Sequence, residues 1–475
     1  MSNQNSGSSK AIKAGFGYTI GNYLIKGLSF FTLPIFTRLL STADYGIYNT
    51  FFAYEAVICI LIGLALHSSL KNARYRYEEK FESYISSCIL LILCNFVVWC
   101  FCCNLLYEYI SKITDFPRIY MNLLLIYSLG SALILFFSNY VGLYFRYQSF
   151  LKLSAVNAIG NVVISILLIF TAFQDARGYG RIVGMCIPVI GIGIYITYYF
   201  FKKGRPAYNK EYWTYGLKYS LPIVPHGISQ MILLQFDRIM IKSIAGVSEA
   251  GIYGFSYSIY SIVNITASSL DNVYGPWFYE KMKNGDLISI KKQGGKIAYL
   301  MLLFSSLMIL VTPEMVKVLG SRDYWVGVYT AVPLVVGGYY AFLYLLPATV
   351  EYYYEKTNFI MLGTCVAAVI NIVSNYFCIK AFGYVAAAYT TLFTYLLYFI
   401  FHYFLARKIH GGYIYSSKQL FFYAGMMLIV NFFVIAMVDY WYVRWPIAVA
   451  LGVYSLIWGN RQFNIANLLR RKLRI

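Results

Sequence analysis

Lys26 and Arg238 stand inside long apolar stretches of the 475-residue chain, where a charge is costly and marks a cavity or a partner. Around Lys26, the side chains of Thr19, Asn22 and Ser29 recur at helical spacing, so the four make one polar stripe. Arg238 shares a helical line with Gln235 and Lys242, while His226, Gln230 and Asp237 follow the neighbouring line. A third stretch puts Tyr48, Phe52 and Glu55 on one face. A fourth carries Tyr253, Tyr257, Tyr260, Asn264, Ser268 and Asp271. A lysine ammonium is a compact point charge, and an arginine is a planar fork that suits phosphate oxygens. Tyrosine faces beside amides suit sugar rings. The candidate binding residues are therefore Lys26, Asn22, Glu55, Gln235, Asp237, Arg238, Tyr257, Tyr260 and Asn264.

Plainer roles stand beside these. Lys26 and Glu55 could form a structural ion pair, and Asp237 and Arg238 could each be satisfied by neighbouring helices. The tyrosines of the fourth stretch could be ordinary packing in a chain with 49 Tyr. Lys242 is expected to snorkel to the outer surface. Asp44 and Glu249 fit helix N-termini, and Asn371 and Asn375 fit interhelical hydrogen bonding. His67, Glu314 and Lys317 fall at span ends and read as interfacial. No catalytic constellation is visible, and the four histidines (His67, His226, His402, His410) are too scattered for a metal site. The nine cysteines contain no CxxC pair and read as small apolar filler. The chain is read as no enzyme and as needing no cofactor beyond a possible coupling ion, H+ or Na+.

The elements that hold these residues are membrane spans. Sixty per cent of the residues are hydrophobic and 12% charged, too few charges for a soluble globule of this length. About 20 apolar residues span the hydrocarbon core. That rule places spans at 15–37, 45–67, 83–107, 119–144, 153–173, 182–201, 218–242, 251–273, 297–318, 329–350, 358–380, 386–406, 419–439 and 445–459. The fold class is thus an all-α polytopic membrane protein of about 14 helices, with 12–14 as the range. The third to sixth spans show no ionisable residue near their middle. The +20 formal charge does not point to nucleic acid, because the basic residues sit in short loops between spans. Roughly two-thirds of the 39 lysines and arginines fall in one alternate set of loops, among them 71–82, 202–218, 274–296 and 351–357. By the positive-inside rule that set and both termini face the cytoplasm. No loop on either side could hold a catalytic domain.

An internal repeat organises the spans. Ala43-Asp44-Tyr45-Gly46-Ile47-Tyr48 opens the second span, and Ser248-Glu249-Ala250-Gly251-Ile252-Tyr253 opens the eighth. A weaker echo, at nearly the same separation, links Gly180-Arg181-Ile182-Val183-Gly184 with Gly383-Tyr384-Val385-Ala386-Ala387. Six spans per repeat make both halves enter the membrane the same way, related by a pseudo-two-fold along the membrane normal. The domains predicted are a cytoplasmic tail 1–14, a bundle 15–201, a linker 202–217, a second bundle 218–406, and two extra helices with a basic tail at 407–475.

Arg38 to Tyr48 (Arg38-Leu39-Leu40-Ser41-Thr42-Ala43-Asp44-Tyr45-Gly46-Ile47-Tyr48) resembles the first outer turn of bacterial polysaccharide flippases. Phe236-Asp237-Arg238-Ile239-Met240-Ile241-Lys242, followed by Glu249-Ala250-Gly251-Ile252-Tyr253, is similar to the same family. Such O-antigen and capsule repeat-unit flippases belong to the superfamily that also holds lipid II flippases and multidrug extruders. The resemblance implies a V-shaped pair of bundles in the bacterial cytoplasmic membrane, with helices 1, 2, 7 and 8 lining a central cavity. It implies alternating access that moves an undecaprenyl-pyrophosphate-linked oligosaccharide from the cytoplasmic to the periplasmic leaflet, with the polysaccharide polymerase machinery as a possible partner. Two alternatives fit less well. A multidrug exporter would favour an acidic cavity, whereas Lys26 and Arg238 here face Glu55 and Asp237. A membrane-embedded glycosyltransferase or polymerase would need a large outer loop or a carboxylate cluster.

Overall fold

The structure, a computed structural model, describes residues 31–144 and 147–463. Among the described residues every regular element is helical and no strand occurs. Hydrocarbon imposes this outcome, because a spanning backbone without water must satisfy its own polar groups. The chain divides into two compact units, Met1–Lys242 and Ser243–Ile475.

In the first unit, residues 31–39 are helical and lead to α1 (Thr42–Gly63). Next come α2 (Leu70–Tyr77), α3 (Phe81–Leu105), α4 (Tyr107–Thr114), α5 (Arg118–Leu143), α6 (Tyr147–Thr171) and α7 (Arg177–Gly204). The amphipathic α8 (Lys210–Ser220) and then α9 (Val224–Ile244) follow. The core of this unit forms where α5 and α7 pack on each other and on α1 and α3. The second unit holds α10 (Val247–Lys283), α11 (Leu287–Leu319), α12 (Val328–Leu343), α13 (Leu345–Tyr353), α14 (Thr357–Phe382), α15 (Ala386–His410), α16 (Ser417–Ala436) and α17 (Trp441–Phe463). Its centre is the segment Arg322–Tyr353, whose apolar window is 83% buried, against 11% for Gln148–Thr171 at the rim of the first unit.

Ten helical segments among the described residues are long and apolar enough to cross a bilayer. Of the fourteen expected, the first lies mostly outside the described residues. The expected spans at 218–242, 251–273 and 445–459 form the long helices α9, α10 and α17 but fall short in apolarity. Two of these, α9 and α10, carry the polar stripes noted above, so the polar residues that suggest a site also dilute the spanning signal.

The structure corrects several loops. Residues 274–296 are mostly helix: α10 runs on to Lys283, and α11 starts at Leu287 after a three-residue turn. In that turn Gly285 adopts φ +70° and Asp286 caps α11 by accepting from the Ser289 N–H at 3.1 Å. Lys281 pairs with the same carboxylate at 3.0 Å. The 37 residues of α10 correspond to about 55 Å of helix, far more than a hydrocarbon core of about 30 Å needs. Within 202–217, Asn209 caps α8 by accepting from the Tyr212 N–H. Glu351, placed by the sequence in a loop, lies instead inside α13 and is fully buried.

Candidate functional site

The N-terminus of α1 is set by a capping box. The Asp44 carboxylate accepts from the Ser41 N–H at 3.2 Å and hydroxyl at 2.7 Å, and the Ser41 hydroxyl accepts from the Asp44 N–H at 3.1 Å. The other Asp44 oxygen accepts from the Gly178 N–H at 2.9 Å, so one carboxylate serves the first turns of both α1 and α7. Glycine is needed at 178 because a Cβ there would fall 2.9 Å from the Asp44 Cα. Arg177 adds a hydrogen bond to the Leu39 carbonyl at 3.1 Å.

One turn along α7 lies the buried Arg181, which in the sequence stands at the very edge of an apolar run and not near the middle of a span. Its Nη1 donates to the Asn161 side chain and to the Ser165 hydroxyl at 2.7 Å. Its guanidinium lies over the rings of Phe36 at 3.8 Å and Tyr48 at 4.9 Å. Arg181 thereby ties α6 and α7 to the start of α1 and to helical residues 31–39. Glu55, on α1, is buried and within hydrogen-bonding reach of Ser131 on α5. The buried Tyr127 feels both Glu55 and Arg181. The first unit thus holds an internal set of Glu55, Tyr48, Tyr127 and Arg181. Lys26 and Asn22 lie outside the described residues, so the Lys26–Glu55 pairing stays an expectation.

On α9, Asp237 and Arg238 are both buried, and Gln235 is half-buried. Lys242 departs from its expected snorkelling. Its side chain is 8% exposed and binds Asp115 at 3.2 Å and the Thr114 carbonyl at 2.6 Å, over the Phe116 ring. The cation is held at the end of α4 instead of reaching outward.

In the second unit, Tyr257 and Tyr260 of α10 have ring centroids 4.6 Å apart, and the Asn264 amide donates to the Tyr260 hydroxyl at 3.2 Å. The structure therefore brings these three candidates together on one helix. Tyr260 is buried against Gly338 of α12, while Tyr257 and Asn264 are half-buried. Asn371 and Asn375 of α14 join a buried network with Thr390 and Thr391 of α15, which is interhelical hydrogen bonding. The two most buried pairs of this unit, the carboxylate and imidazole of Glu351 and His402 and the ion pair of Glu314 with Arg444, join residues far apart in sequence. Only the partners' proximity in space reveals them. No group of three or more potential metal ligands occurs among the described residues, and all nine cysteines are free thiols. Outside the spans, the Asp286 carboxyl is held below its usual range by hydrogen bonds from Ser289 and from Lys281.

A family model described as polysaccharide biosynthesis protein matches residues 12–282, more than half of the chain. "Lsg locus putative protein 1" of Haemophilus influenzae is 22% identical over 386 residues, covering 77% of this chain and 90% of that protein. Among solved structures, the lipid II flippase MurJ in an inward closed conformation superposes with a TM-score of 0.74 at 13% identity, covering 94% of this chain and 99% of MurJ. An inward-facing multidrug resistance transporter of the MATE family and MOP superfamily gives 0.59 at 14% identity, covering 82% of this chain and 94% of its own. At these identities the two structural likenesses speak for the fold.

Proposed function

Because this chain belongs to the polysaccharide biosynthesis protein family and has the fold of the MOP-superfamily transporters, we propose that it is a flippase for a lipid-linked oligosaccharide. Its cargo is an undecaprenyl-pyrophosphate-linked repeat unit, carried by alternating access from the cytoplasmic to the outer leaflet of a bacterial cytoplasmic membrane for surface polysaccharide synthesis. The polymerase machinery that consumes the unit is the natural partner. In this reading 15–201 and 218–406 are the two bundles joined by 202–217, and 407–475 is appended, with both termini cytoplasmic.

The observation that carries the reading is a guanidinium, Arg238, buried on the polar-striped helix α9 of a chain that belongs to a polysaccharide-synthesis family. A pyrophosphate cannot enter about 30 Å of hydrocarbon without a cation to meet it. Arg238 supplies a planar fork and Lys26 a point charge. Asp237 and Glu55 are the carboxylates of the same proposed set. Gln235, Asn22, Asn264, Tyr257 and Tyr260 offer amides and ring faces to the sugars, while the polyprenyl tail stays in lipid. The exporter alternative would need a carboxylate excess that these residues do not provide.

The test is complementation of a flippase-null strain. Lys26→Ala and Arg238→Ala should each abolish it at normal protein levels. Lys26→Arg should keep part of the activity, and Arg238→Lys less, because the fork is lost. If Lys26→Ala, Glu55→Ala restores transport that Lys26→Ala alone had lost, Lys26 is a structural partner of Glu55 and does not bind the head group.

A further inference from the structure

In the second unit a carboxylate and an imidazole meet where neither water nor lipid reaches. Glu351, near the end of α13, and His402, in α15, are both 0% exposed, and His402 Nδ1 lies 2.6 Å from Glu351 Oε1. The remaining polar atom of each group, Glu351 Oε2 and His402 Nε2, is buried without a hydrogen-bond partner. Nε2 faces α14 at Gly363, where a Cβ would come within 3.0 Å of it. The rings of Tyr398 at 4.4 Å, Phe401 at 5.2 Å and Tyr344 at 5.7 Å close the sides.

The titratable groups facing this pair come from every packed element. Tyr398 belongs to α15 itself, Tyr344 to the α12–α13 junction and Tyr352 to α13. From α14, Cys365 bears on Tyr398. From α10, Asp271 bears on Tyr344 and Tyr352, and Tyr260 on Tyr344. Among the described residues no lysine or arginine is in this set.

Charge arithmetic then sets its behaviour. With one proton, whether on oxygen or on nitrogen, the pair is neutral overall. With none it is a buried anion and with two a buried cation, and dry surroundings penalise both. A closed bundle therefore fixes the occupancy at one. Exchange needs water at Oε2 and Nε2, the two atoms left without partners here, and only an opened bundle admits it. This chain builds a purely structural ion pair differently. Arg444 spends its donors on both Glu314 oxygens and on three carbonyls.

We propose that Glu351 and His402 form a proton-binding site that exchanges one proton with water as the second unit opens and closes, and so couples translocation to a proton gradient. The proton enters and leaves as an O–H or N–H proton at Oε2 or Nε2, and no other bond changes. The coupling rests on the flippase reading for its cargo; the site itself does not.

The full chain is placed in liposomes with a trapped pH-sensitive dye and undecaprenyl pyrophosphate as the probe, and flipping is scored by exposure to an added phosphatase. A gradient of about one pH unit can bias a one-proton cycle by up to about tenfold. The wild type should show that gradient dependence together with dye-reported proton flux. Glu351→Gln and His402→Asn should lose both. If either variant folds poorly, the apolar pair Glu351→Leu, His402→Phe should still fold and be equally blind to the gradient. Full gradient dependence in any folded variant overturns the proposal. If the wild type flips no probe under any gradient, the flippase reading fails. The site is then decided by titrating the detergent-solubilised chain between about pH 5 and 8. A proton bound by the wild type and missing in His402→Asn upholds it, and superimposable curves overturn it.

Discussion

Arg444 and Glu314 stand at the wrong ends of their helices. Arg444 is in the first turn of α17, and Glu314 is near the C-terminus of α11, so each charge opposes the local dipole. Their bidentate pairing, at 2.8 and 2.5 Å, offsets that cost. The same guanidinium donates to the Met437 and Val438 carbonyls just past the end of α16, and to the Leu310 carbonyl of α11. Arg444→Met therefore strands one carboxylate and removes a donor from three carbonyls at the junction of three helices. Breaking a buried pair costs about 3–5 kcal/mol. The Glu314 side chain is 25% exposed and can rehydrate, which puts the loss at the lower end, about 3 kcal/mol. For a unit of this size each kcal/mol moves a melting midpoint by about 2–4 °C, so a drop of about 6–12 °C is expected. Arg444→Met, Glu314→Leu should recover more than half of it, because the stranded charge is gone. Thermal unfolding of the purified chain in one detergent, run as a double-mutant cycle, measures all four species. A single variant that melts with the wild type, or a double variant lower than Arg444→Met, would refute the reasoning.

Asp44→Ala removes the cap from two helices at once and should cost about 1–2 kcal/mol, seen as a lower melting midpoint; Asp44→Asn should lose less. Because the Asp286 carboxyl is held low, its contribution is complete above its ordinary value near about 4 and disappears as the pH falls through its lower folded value. Asp286→Asn should accordingly flatten the acid limb of the stability profile, and an unchanged limb would remove Asp286 as its source. A cysteine replacing Lys210, in a cysteine-free background, should resist an impermeant thiol reagent added outside intact cells. Labelling there would invert the assigned topology.

How much of this was legible in the sequence follows from what a bilayer enforces. A span needs a long apolar run whatever its neighbours are, so α1, α3, α5, α6, α7, α11, α12, α14, α15 and α16 were readable one at a time, whereas the short α2 and α4 fall in stretches read as loops. The stripes on α9 and α10 were readable too, because 3.6-residue spacing is local. The partners were not. Glu351 follows an apolar run and precedes Tyr352, Tyr353, Tyr354 and Glu355, which reads as a span ending in a loop. Its true setting depends on α14 and α15 packing around it. Arg181 resembled a loop residue for the same reason, since the Phe36 and Tyr48 rings that shelter it come from far away in sequence. Arg444 stood beside Trp441, Tyr442 and Trp445, the composition of a membrane interface, and only α11 makes it interior.

The 51-residue separation of Glu351 and His402 also sets a schedule for biogenesis. A ribosome adding about 5–20 residues per second needs several seconds to make α14 and α15 after Glu351 has emerged. Throughout that interval the carboxylate has no imidazole to meet. It lies close to the end of α13, so it can wait at the headgroup level while the apolar body of Arg322–Tyr353 is already in lipid. The most enclosed segment of the unit thus enters the bilayer before the helices that will enclose it. Its final depth is set only when α15 arrives, which makes that step of assembly a repacking inside the membrane of a segment already inserted.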